Sequence, residues 1–150
     1  DSTLVDGLEI ANYLKKNERN FFDILTTTKI LFRFIDKDII LEDWGKLIEL
    51  DDDDNFKKIR FSGRVDYVPA LDPELLTLFY KARKRLYELC SSKYFIKNFR
   101  LSSGMLLMFD NHRLLHGRAE FSPNKGNRHL QGCYIDHDAT EGKLRRFLNK

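Results

Sequence analysis

The apolar positions of the first thirty residues change period twice. Leu4, Val5, Asp6 and Gly7 read as a short strand ending at a turn. Leu8, Ala11, Tyr13 and Leu14 then recur at helical spacing up to Lys16, and Asn17 to Thr28 carries Phe21, Phe22, Ile24 and Leu25 as a second helix. The middle third turns to β: Ile30 to Ile35, Ile39 to Leu41, Lys46 to Leu50 and Phe56 to Phe61 are short runs rich in Phe and Ile. Asp51 to Asp54 lacks the glycine and closing glutamate of a calcium loop, so a solvated hairpin tip is expected there.

After Pro73, Leu75, Leu76, Leu78, Phe79, Ala82, Leu86 and Leu89 share one helical face, with Lys81, Arg83, Lys84 and Arg85 largely opposite. Four further strands are predicted over Tyr94–Leu101, Met105–Phe109, Leu114–Arg118 and Arg128–Ile135, with a short closing helix over Leu144–Leu148. Strands at roughly ten-residue spacing, covered by helices, predict an α+β fold: a partial double-stranded β-helix (jelly roll) with flanking helices.

Composition removes several classes. With 42% hydrophobic residues the chain is not disordered, and it holds no apolar run as long as a membrane span. A net charge of +3, spread evenly, argues against a nucleic-acid surface. Cys90 and Cys133 form neither a disulfide framework nor a metal knuckle, which suits a reducing compartment. The chain opens on Asp1, and a piece cut from a longer protein is expected.

All four histidines, His112, His116, His129 and His137, fall in the last 39 residues. His116 lies on a strand leaving an Asp-Asn turn, where a ring can project into a barrel mouth. His112 sits in the turn, His129 has opposite pleat parity to Arg128, and His137 opens the last helix, so these three are expected to be structural or solvent-facing. Strand parity would set Arg128, Leu130, Gly132 and Tyr134 on one wall. A guanidinium there requires an anion, and a small dicarboxylate or an internal salt bridge would each supply it.

The run Phe109, Asp110, Asn111, His112, Arg113, Leu114, Leu115, His116, Gly117, Arg118, with Arg128 to Asp136, resembles the C-terminal half of the gamma-butyrobetaine and trimethyllysine dioxygenase family. Asp1 to Gly7 is similar to that family's Leu-Val-Asp-Gly segment. The resemblance implies that residues 1–150 are the C-terminal portion of a taurine dioxygenase-like catalytic domain. It implies Fe(II) and 2-oxoglutarate as cofactor and co-substrate, with ascorbate as an accessory. His116 would be an iron ligand, Arg128 the clamp on 2-oxoglutarate, and Tyr134 part of a cage around a trimethylammonium head.

The implied activity is hydroxylation of a substrate such as gamma-butyrobetaine in carnitine biosynthesis, by a full-length homodimer in cytoplasm or mitochondria. No nucleic acid or membrane is involved. No His-x-Asp occurs in the chain, so the isolated chain is expected to be inactive. The alternatives are an inactive jelly-roll module that binds a ligand or partner, and a metal-binding regulatory domain in which several of His112, His129 and His137 would have to converge with His116.

Overall fold

The computed structural model describes residues 2–68, 70–118 and 129–149. Strand β1 (Ser2–Asp6) runs directly into helix α1 (Gly7–Asn17), because Asp6 caps the helix: its carboxylate accepts the Leu8 N–H at 3.0 Å. Helix α2 (Arg19–Thr27) follows after a break at Glu18, whose carboxylate is gripped by Arg85 at 2.8–3.0 Å. The β-rich middle comprises β2 (Ile30–Ile35), β3 (Ile40–Gly45), β4 (Ile48–Leu50), β5 (Phe56–Ile59) and β6 (Asp66–Tyr67).

Helix α3 (Pro73–Ser91) begins with proline in its first turn, where the missing N–H costs nothing. Its buried residues are Phe79, Ala82, Leu86 and Leu89, the inner part of the predicted stripe. Those side chains close a core with Ile10 and Leu14 of α1, Leu25 of α2, and Ile30, Leu47, Ile48 and Ile59 from the β region. Beyond α3 lie β7 (Ile96–Phe99), β8 (Leu114–Arg118) and α4 (His137–Leu148).

The strands form three small antiparallel sheets, in the orders β7-β1-β8, β3-β2-β6 and β4-β5. Mixed helices and antiparallel strands bear out the α+β expectation; among the described residues, these sheets do not close a double-stranded β-helix. Asp51–Asp54 is the predicted hairpin tip: Asp51 accepts the N–H groups of Asp53 and Asn55 at 3.0 and 2.8 Å, and Asp54 takes the left-handed φ of 59°.

Three predicted segments differ. Met105–Phe109 is irregular rather than a strand, with Leu106 89% exposed, because no described strand pairs with it. β-propensity is realised only against a partner. Residues 129–135 are likewise irregular and exposed, so the pleat parity expected to align Leu130, Gly132 and Tyr134 does not operate there. The closing helix is longer than expected. It starts at His137 behind Asp136 and buries no residue, so its first turns had no apolar stripe to read.

No helix among the described residues is long and apolar enough to cross a membrane.

Candidate functional site

The site is built around the tight turn at residues 110–113. Asp110 organises it from within: its backbone carbonyl accepts from Arg113 and Leu114 N–H at 3.2 and 2.9 Å, and its side chain accepts from the His112 N–H at 2.8 Å. The rest of the fold holds the turn from outside. The Gly7 N–H donates to the Arg113 carbonyl and the Ile59 N–H to the His112 carbonyl, each at 2.9 Å. Arg113 also donates to both carboxylate oxygens of Asp6, at 2.6–3.2 Å. A fork of this geometry fixes orientation as well as position.

Asp6 therefore caps α1 and pins the entry to β8 at once. Burial pushes its carboxyl upward, but the hydrogen bonds and charge of Arg113, with the Leu8 and Glu9 N–H groups, outweigh this and hold it below the usual carboxylate range. A depressed folded-state pKa contributes stability above the unfolded value of about 3.9, and this stability is lost as pH falls through the folded value. Urea midpoints of wild type and Asp6→Asn are accordingly expected to differ at pH 7 and to converge below about pH 4.

On β8, Leu115 packs against the core and lies opposite the buried Val5 of β1. Alternation then sets His116, opposite Leu4, on the other face. Its imidazole is exposed, tilts against the Phe109 ring at 5.1 Å, and borders a hollow of about 180 Å³ shared with Arg60, Phe61 and Asn111. Arg60 is a cation of this hollow that sequence reading missed. Its guanidinium is committed to Asp43 and lies 4.7 Å from the Phe32 ring centre. A pair between residues 17 apart leaves no local pattern to read.

Of the other expected site residues, Arg128 lies outside the described residues. Tyr134 is 88% exposed on the irregular segment before α4 and does not line the His116 hollow. His112, His129 and His137 are exposed, as their solvent-facing assignment expects. Among the described residues no other histidine joins His116 in a cluster of candidate ligands, yet two of the remaining three do meet. The His112 and His137 rings stack 4.8 Å apart at 19°, and with Asp110 they are the group of three candidate metal ligands among the described residues. Twenty-five residues separate the two rings, so no spacing rule signals the pairing.

A facial iron site needs two imidazoles and a carboxylate converging on one point. Around His116 the described residues bring no such set together, so they do not by themselves fit a complete ferrous site.

Comparison with known proteins gives a consistent picture. The model of the taurine catabolism dioxygenase TauD, TfdA family matches residues 1–134. A gamma-butyrobetaine dioxygenase of Homo sapiens is 35% identical over 150 residues, covering 97% of this chain and 39% of the relative. One from Pseudomonas sp. (strain AK-1) is 33% identical over 138 residues, covering 92% and 36%. A trimethyllysine dioxygenase of Meyerozyma guilliermondii is 29% identical over 148 residues, covering 95% and 36%. The chain thus spans about two fifths of the length of the curated relatives it matches.

Proposed function

This chain belongs to the TauD, TfdA family, and on that premise we propose that it is the C-terminal portion of the catalytic domain of an Fe(II)- and 2-oxoglutarate-dependent hydroxylase. The substrate class is a trimethylammonium compound such as gamma-butyrobetaine. The observation that carries this reading is the place of His116: an accessible imidazole on β8, at a hollow, behind a turn tied down by Asp6, Gly7 and Ile59. Ordered supports of this kind are what a metal ligand needs to keep its geometry.

In this reading His116 supplies one iron ligand, and the other two come from chain outside these 150 residues. Bound iron with 2-oxoglutarate would supply the oxidising chemistry, the co-substrate leaving as succinate and carbon dioxide. The chain's own residues bind and orient. Arg128 would hold the far carboxylate of 2-oxoglutarate through a two-pronged charge-assisted contact, and Tyr134 would offer its ring to the quaternary ammonium. For Tyr134 to act so, the exposed 129–135 segment must be covered by further chain. The exposed apolar side chains of Leu106, Met108, Tyr134 and Ile135 support this, as surface that additional strands of a jelly roll would bury.

The test uses the longer protein that carries this chain, supplied with ferrous iron, 2-oxoglutarate and gamma-butyrobetaine, with succinate release as the readout. His116→Ala is expected to reduce substrate-dependent succinate to background. Arg128→Ala is expected to raise the 2-oxoglutarate requirement by about ten- to a hundredfold, the equivalent of a charge-assisted pair. Undiminished turnover in His116→Ala overturns the assignment, and no turnover in the wild type with any trimethylammonium substrate favours a binding module instead.

A further inference from the structure

We propose that Asp110, His112 and His137 form a binding site for a divalent transition-metal ion of the zinc class. One ligand atom from each side chain lies within 4.8 Å of the other two. Two imidazoles and a carboxylate are a donor set suited to divalent first-row transition metals, zinc and ferrous iron included, rather than to calcium or magnesium, which prefer oxygen. His116 is not a member of the cluster, and the proposal does not depend on the hydroxylase reading.

Three features of the local structure favour an ion. The residues of the 110–113 turn are preplaced, since hydrogen bonds from Gly7 and Ile59 and the Arg113–Asp6 pair hold its backbone. Asp110 spends Oδ1 on the His112 N–H, and among the described residues its other oxygen has no hydrogen-bond partner. On α4, Glu141 lies 3.2 Å from Nδ1 of His137. A carboxylate on that nitrogen orients the ring and leaves Nε2 as the donor, the arrangement that commonly supports a metal-bound histidine.

The two rings stack 4.8 Å apart at 19°, and an ion would bind them as neutral imidazoles. Donor atoms around a tetrahedral zinc, with bonds of about 2.0–2.1 Å, stand about 3.3 Å apart, so no pair in the cluster need close by more than about 1.5 Å. All three side chains are exposed and can rotate that far without moving the core. Water would take the remaining position. Asp136 and Asp138, beside His137, add negative potential, while Arg113 and Arg145 are paired with Asp6 and Glu141. Because α4 buries no residue, an ion here would tie its first turn to the base of β8.

The experiment is a calorimetric titration of Zn2+ into the metal-stripped 150-residue protein, repeated with Co2+ while following its visible absorption. One saturable equivalent is expected in wild type and in His116→Ala. Binding is expected to be lost in His112→Ala and His137→Ala, and weakened about tenfold in Glu141→Gln. His137→Phe retains a stacking ring without a lone pair and must also lose binding; far-UV circular dichroism separates this from unfolding. The proposal is overturned if wild type shows no saturable Zn2+ binding, if binding survives in His137→Phe, or if His116→Ala abolishes it.

Discussion

Phe79→Ala is expected to destabilise the protein by about 3–5 kcal/mol, the usual cost of truncating a buried phenylalanine. Phe79 is fully buried on α3 and belongs to one core with Ile10, Leu14, Leu25 and Leu86. A packed interior cannot close over a void of that size, so the loss combines transfer free energy with a cavity term. Against a total stability of about 5–15 kcal/mol this is a large fraction, and the urea midpoint should fall accordingly. Leu75→Ala is the control: Leu75 lies on the same helix but is 44% exposed, and its replacement should cost far less. Equal effects from the two substitutions would show that α3 does not organise the core.

The second large effect is expected from adding a single methyl group. Gly7→Ala would place a Cβ against Ile59 Cγ2 and 2.7 Å from the Arg113 carbonyl oxygen. Alanine normally favours a helix over glycine by up to about 1 kcal/mol, so a stabilising result would be expected from propensity alone. Here the obstruction is a short β-branched side chain together with backbone, and that backbone is held by the hydrogen bond from the Gly7 N–H. Overpacking of this kind costs about 1–3 kcal/mol, reversing the sign.

On the proposed hydroxylase reading the same contact seats the turn before His116, so Gly7→Ala should also lower substrate-dependent succinate release without altering His116 itself. Gly142→Ala, on α4 with nothing within 4 Å of the added carbon, should be neutral or slightly stabilising. Thermal melts of the two variants give the comparison, and an unchanged melt for Gly7→Ala would contradict the close approach.

The helical stripe of α3 and the α1–α2 break were legible because periodic burial drives them, whereas β2 to β5 were legible from β-prone composition, since β3 buries only Gly45, and the two-residue β6 was not foreseen. The Met105–Phe109 and 129–135 runs have strand-like composition without a described partner, and composition alone cannot supply one. Polar relations were the least legible. Arg60 with Asp43, Arg113 with Asp6, and His112 with His137 join residues 17, 107 and 25 positions apart. Each joins positions that are close only after the chain has folded.

By itself, the order of residues determined the family, the mixed helix and strand content, and His116 as the leading metal-ligand candidate, since these rest on local period and on an unbroken motif around residues 109–118. Only the tertiary structure decided that Gly7, Ile59 and Asp6 hold the turn beneath that histidine, that Arg60 shares its hollow, and that the His112 and His137 rings stack beside Asp110. The physical reason is that burial is written in neighbouring residues, whereas directional contacts between polar groups depend on where distant segments are brought to rest.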